Sequence, residues 1–266
     1  MTTYARYIAN GAVTHGILDG DILKEISNSP LEDHSETGKS HSVSDVTLLS
    51  PTEPSKVVAI GLNYKSHLGG RPGPNAPEPF LKAPTTVIAQ NEDIVIPKVA
   101  LDEGVKIQPE AELALVIGKK CKSASQADAL DYVFAYTCGN DVSARDWQQN
   151  DLQWARAKSS DTFGPIGPWM TTDLDPTNIQ VTCRINGEEK QNGVCGQDSP
   201  FNKRGRMFPL CRNKWCFAGS SPRHTQKSQK SPDVYGRIIP QGQNPALALS
   251  MVKANHVRHS RFSGQD

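Results

Sequence analysis

The sequence predicts an α+β fold that is mostly β, with few short helices and a small β module at the front. Three observations carry this expectation. Short segments of alternating apolar and polar residues recur, joined by Asn-Gly or Asp-Gly turns. Few stretches keep a helical period. The apolar run "PEAELALVIGKK" (109–120) has the length and composition of a buried strand.

Residues 3–27 form the front module, as "YARYIANG" and "AVTHGILDGDILKEI", with turns at Asn10-Gly11 and Asp19-Gly20. Residues 28–47 are polar and read as a linker. "KVVAIGLNY" (56–64) is a buried strand, and "SHLGGRPGPNAPEP" (66–79) is a surface loop of the kind that covers a site. "TTVIAQNEDIVIP" (85–97) reads as a pair of strands. The pair Ser125 and Asp128 resembles a capping box that opens a helix over "QADALDYVFAY". "IQVTCRINGEEKQ" (179–191) is a hairpin turning at Asn186-Gly187. Beyond Gly193 no period is sustained, and only 246–257 suits a short helix. The expected division is a β module and linker at 1–50, a main domain at 54–193 and a separate tail at 194–266.

The chain's 266 residues suffice for a substantial core. The charge is uneven: 194–266 hold 12 Lys+Arg against 3 Asp+Glu, leaving 17 against 25 in 1–193, so a net of +1 conceals an acidic body and a basic tail. Such a tail fits a disordered polar segment, or nucleic-acid binding with Trp215 and Phe217 as stacking residues. We expect no nucleic-acid partner. Cys195, Cys211, Cys216 and His224 lack any Cys-x-x-Cys pair, which argues against zinc. "MTTYARYIANG" has no apolar core of a secretory signal, and no run is apolar enough to span a membrane. Six scattered cysteines suit a reduced compartment, and the cytoplasm is the expected location, with mitochondria as the alternative.

Glu110 and Glu112 lie two apart and share one strand face with Ala114 and Val116, while Ala111, Leu113, Leu115 and Ile117 form the core face. Two such carboxylates repel unless a cation offsets them. Three carboxylates suit Mg²⁺ or Mn²⁺, and Asp141 in "GNDVSARD" is the candidate third. The spacing also fits an exposed strand edge whose acids pair with Lys106 or Lys119.

Six stretches in order, "VVAIGLNYKSH", "PFLKAPTTV", "EAELALVIGK", "DALDYVFAYTCGNDVSARDWQ", "WARAKSSDTFGPIGP" and "VTCRINGEEKQNG", resemble the catalytic domain of the fumarylacetoacetate hydrolase family. The front module resembles the appended β domain of its longer members. The resemblance implies a mixed β-sandwich or β-roll, a homodimer, and one Mg²⁺ or Mn²⁺ per subunit on Glu110, Glu112 and Asp141. It implies hydrolysis of a C–C bond in an acylpyruvate or β-diketo acid, with oxaloacetate decarboxylation or tautomerisation as the alternative.

His67 matches the family's lid base, and Lys82 and Lys158 its site lysines. Arg145, Gln148 and Thr162 match positions beside the substrate. Arg145 equally suits a structural ion pair with Asp146 or Asp141. The Tyr64 hydroxyl suits either a substrate contact or a core tyrosine with one polar partner.

Two departures stand out. Gly70 occupies the place where hydrolytic members often carry a Glu that orients the lid histidine, and no Gly-Thr-Pro occurs anywhere. The family continues past Gln191 with an apolar helix, two strands and a Gly-Thr-Pro-Gly loop. Here we expect that part of the fold to be missing and the sheet to carry an exposed edge. A shifted frame, retained intron or alternative exon explains 194–266, and a catalytically dead binding protein with a basic tail is the reading of another class.

Overall fold

The computed structural model describes residues 1–63, 72–125, 127–195, 216–219 and 234–240. The front module is built from β1 (Thr3–Ala9), β2 (Ala12–Asp19), β3 (Ile22–Ile26), β4 (Glu36–Ser42) and β5 (Thr47–Leu48). The β1–β2 turn falls on Asn10-Gly11, both with positive φ (51° and 77°), the twist a two-residue hairpin needs. The segment read as a linker holds β4. Most of its side chains are exposed, so a polar edge strand carries no apolar alternation to betray it.

Next come β6 (Val57–Gly61), β7 (Glu78–Lys82), β8 (Val87–Ile88), β9 (Ile107–Gln108), β10 (Ala111–Ile117), β11 (Val133–Asn140) and β12 (Ser143–Ala144). The chain continues with β13 (Gly164–Pro165), β14 (Trp169–Thr171), β15 (Ile179–Ile185) and β16 (Glu188–Val194), then β17 (Cys216–Gly219) and β18 (Val234–Pro240). Eleven strands form one mixed sheet in the order β4-β3-β2-β1-β14-β11-β10-β17-β6-β7, with β5 beside β1. The front module is thus continuous with the central strands through β1 and β14, where Thr3 faces Thr171.

A smaller sheet, β16-β15-β18, covers one face. Ile179, Val181, Cys183 and Ile185 of β15 pack with Ala111, Leu113, Leu115 and Ile117 of β10 and with Tyr136 and Cys138 of β11. On the opposite face Ala114 and Val116 pack with Val57, Ala59, Ala135, Ile166 and Met170. Strand β10 is therefore buried on both sides, and its alternation sorts one set of side chains to each core. Together the sheets make a mostly-β sandwich with few short helices, the expected class. Among the described residues no helix is long and apolar enough to cross a membrane.

Three expectations need correction. The helix expected from Ser125 is a 3₁₀ turn, Ala129–Tyr132, followed by β11. Ser125 does bond Asp128, with Oγ donating to its carboxylate at 2.6 Å. The "VFAYTC" that follows is rich in β-favouring residues and pairs along all of β10. The 85–97 stretch supplies only β8, paired in parallel with β13. The sheet expected to lose a strand and expose an edge instead holds β17, which pairs with β10 on one side and runs parallel to β6 on the other. Backbone pairing needs no apolar period, so the sequence gives little warning of it. The short helix expected at 246–257, and most of the stretch read as a disordered tail, lie outside the described residues.

Candidate metal centre

The antiparallel register of β10 and β11 sets Ala111 opposite Asn140 and Glu112 opposite Gly139. Glu110 and Asp141 continue that register, and the Asp141 N–H donates to the Glu110 carbonyl at 2.9 Å. The Glu110 N–H donates to the Asn140 side chain at 3.1 Å. Ala111, between the two glutamates, is clamped by Gln191. Its N–H donates to Gln191 Oε1 at 3.0 Å and its carbonyl accepts from Gln191 Nε2 at 2.6 Å. Three acids from two strands are thereby fixed on one spot.

One carboxylate oxygen from each of Glu110, Glu112 and Asp141 lies within 4.8 Å of the other two, and all three side chains are buried. Burial disposes of the exposed-edge reading: neither Lys106 nor Lys119 is their partner. Lys82, at the end of β7, donates from Nζ to Asp141 Oδ1 at 2.6 Å and to the Lys158 carbonyl. Lys158, on the helical turn Ala155–Ser159, donates from Nζ to Asp141 Oδ2, to Glu110 Oε1 at 3.0 Å and to Ser143 Oγ at 2.6 Å. Phe80, two residues before Lys82, puts its ring 5.2 Å from Lys158 Nζ and is braced edge-on by Trp154.

Arg145 reaches Glu110 Oε1 at 2.6 Å. Its Nε donates to Gln108 Oε1 at 2.6 Å and its Nη1 to Gln148 Oε1 at 2.7 Å. The guanidinium fork is thus committed to protein groups, and the ion pair expected with Asp146 or Asp141 does not form. Asp146 instead accepts the Lys106 N–H at 2.6 Å.

Electrostatics separates the two glutamates. Burial opposes ionisation of Glu110, but Lys158, Arg145 and the Ser143 hydroxyl outweigh it and hold the carboxyl well below its usual range. Burial pushes Glu112 well up, and the charges of Asp141 and Glu110 push it further. Burial lowers Lys82, which Asp141 only partly offsets. In Lys158 the attraction of Asp141 and Glu110 exceeds the burial effect and raises it.

Glu112 also carries the one buried oxygen of the trio, Oε2, with no hydrogen-bond partner among the described residues. A buried carboxylate oxygen without a donor is costly unless something else meets it. Three converging carboxylates and an orphaned oxygen form a group that fits a hard divalent cation.

Of the sequence-derived site residues, the fold brings together Glu110, Glu112, Asp141, Lys82, Lys158, Arg145 and Gln148. Thr162 stands apart. At φ 69° its Oγ1 accepts the Val95 N–H at 2.8 Å and its N–H donates to Thr85, so it pins a loop. Tyr64 and His67 lie outside the described residues. Two residues went unnoticed. Ser143, fully buried, donates toward Glu110 Oε1 and the Asp141 carbonyl, both at 2.8 Å, while accepting from Lys158. Gln108 orients Arg145. Each stands two residues from an acid of the trio, a spacing that places it on the same side wherever the chain is extended.

A family model described as fumarylacetoacetate (FAA) hydrolase C-terminal matches residues 56–199, and a second, Rv2993c-like N-terminal, matches residues 3–51. Protein Rv2993c of Mycobacterium tuberculosis is 42% identical over 200 residues, covering 70% of this chain and 74% of that protein. Human mitochondrial oxaloacetate tautomerase FAHD2A is 40% identical over 162 residues, 58% of this chain, and the match spans 50% of the tautomerase's own length. The crystal structure of 2-hydroxyhepta-2,4-diene-1,7-dioate isomerase from Mycobacterium marinum superposes with a TM-score of 0.76 at 32% identity. It covers 90% of this chain and 94% of that one.

Proposed function

The chain belongs to the fumarylacetoacetate hydrolase family, and from that premise we propose that it is a divalent-cation-dependent enzyme hydrolysing a C–C bond of an acylpyruvate or β-diketo acid. The observation that carries this reading is the buried trio Glu110, Glu112 and Asp141 with its orphaned Glu112 oxygen. These three residues would hold Mg²⁺ or Mn²⁺. When bound, such an ion supplies Lewis-acid polarisation of a 2-oxo group.

The chain's own groups do the rest. Arg145 and Ser143 fix Glu110, Lys82 fixes Asp141, and Lys158 binds both acids. Lys158 and Lys82 present positive charge toward a substrate carboxylate or a developing enolate. His67, in the Gly/Pro-rich loop, is the proposed base toward water, and Tyr64 is a proposed substrate contact, while Thr162 serves the loop it pins. We place the enzyme in the cytoplasm as a homodimer.

A second reading is oxaloacetate tautomerisation or decarboxylation. Two observations favour it: 40% identity to an oxaloacetate tautomerase, and Gly70 where hydrolytic members often carry the histidine's orienting Glu. Purified protein with Mn²⁺, given acetylpyruvate and oxaloacetate beside Glu110→Ala, tests both. Pyruvate released from acetylpyruvate marks the hydrolase, and keto–enol conversion of oxaloacetate without pyruvate marks the tautomerase. The variant should lose about 100-fold or more. Equal activity of the two proteins would refute the site.

A further inference from the structure

Both oxygens of Asp141 carry an ammonium, Lys82 on Oδ1 and Lys158 on Oδ2, while Lys158 and Arg145 converge on Glu110 Oε1. The Lys82, Lys158, Asp141 and Glu110 side chains are all more than nine-tenths buried. Among the described residues the cluster therefore sets three carboxyl groups against three fixed cations, so with the trio fully ionised its charges balance without any metal. A divalent ion on the ionised trio leaves an excess of two positive charges where water screens poorly. A dianionic ligand alone leaves the opposite excess. Only the two together restore balance.

We propose that Lys82 and Lys158 are built-in counter-ions of the cradle, and that they make the divalent cation and a dianionic chelating ligand bind as a mutually dependent pair. The proposal rests on the metal-site reading above and assigns the lysines a second task. By competing for Asp141 and Glu110 they keep the cation weakly held until an oxyanion arrives. Coupling of this kind is reciprocal.

Calorimetry on the full chain tests it with Mn²⁺ and oxalate, corrected for their complex in solution. Mn²⁺ is titrated with and without saturating oxalate, and oxalate with and without Mn²⁺. Each should tighten the other by the same factor, about ten-fold or more. Lys158→Met and Lys82→Met, close in volume to lysine, should each bind Mn²⁺ alone about ten-fold tighter or more and show smaller coupling. Mn²⁺ that binds the unmodified chain equally well with and without oxalate overturns the proposal and leaves the metal site standing. So do methionine variants that bind Mn²⁺ more weakly, which would make the lysines supports of the cradle. Absence of Mn²⁺ binding under both conditions overturns the proposal and the metal reading together.

Discussion

Glu112→Gln gives a test in which two effects move in opposite directions. The Glu112 ligand oxygen lies within 4.8 Å of its counterparts on Glu110 and Asp141. At an effective dielectric of about 20, two unit charges at that separation repel by about 3.5 kcal/mol. Lys82 and Lys158 return part of this, and protonation of Glu112 escapes some of the remainder. At pH 8 the substitution should therefore stabilise the cation-free chain by about 1–3 kcal/mol, or roughly 2–10 °C in Tm. Its new amide can donate to Asp141 or Glu110. The same substitution removes a ligand. At a hundred-fold excess over Kd, Mn²⁺ should stabilise the unmodified protein by about 2.7 kcal/mol and the variant hardly at all. Thermal unfolding with and without Mn²⁺ reads both effects. A variant that melts lower without cation yet keeps the full Mn²⁺ shift would show that Glu112 is neither strained nor a ligand.

Three further outcomes follow from the same geometry. Because burial, Asp141 and Glu110 raise Glu112 above the ordinary 4.5, the unfolded chain releases that proton first as pH rises. Urea unfolding of the cation-free protein should thus show its contribution intact below 4.5 and lost as pH climbs through the raised value, a slope absent in Glu112→Gln. Arg145→Lys keeps a charge near Glu110 but gives up the fork to Gln108 and Gln148. Mn²⁺ affinity by calorimetry should fall about ten-fold, and no change would deny Arg145 a positioning role. Gly164→Ala would place its Cβ 2.6 Å from Thr86 Oγ1, a hydroxyl already committed to the Ala83 carbonyl at 2.7 Å. Chemical denaturation should register a loss of about 1–3 kcal/mol, and a neutral result would mean the β8–β13 pair yields easily.

The acids were legible because a like-charged pair inside an apolar strand is an anomaly of spacing, visible without coordinates. The lysines emerged only through the family resemblance, since an isolated lysine looks solvated in any sequence. Arg145 was found but its partner was not: sequence proximity pointed to Asp146, whereas Glu110 lies 35 positions away and meets it through the fold. Ser143 was overlooked inside a quoted motif because a hydroxyl announces itself only when its neighbours are placed. The misread helix at 125–136 shows a capping signal that opens only one 3₁₀ turn, after which β-favouring residues pair with β10 on one edge and β14 on the other. Strands β4, β17 and β18 were invisible for a related reason: their membership is written in backbone hydrogen bonds.

The pairing of β1 with β14 also has a consequence for synthesis. Thr3 meets Thr171 across 168 positions. At about 5–20 residues per second, the partner emerges from the ribosome roughly ten to thirty seconds after the first hairpins. Throughout that interval the Thr3–Ala5 end of β1, beyond the part covered by β5, presents unpaired amides and carbonyls to the nascent chain's surroundings. Holding such an edge soluble is a task for chaperones, and protease sensitivity of stalled chains should drop once translation passes residue 171. The amino terminus is made first yet waits on a partner from the second half of the chain.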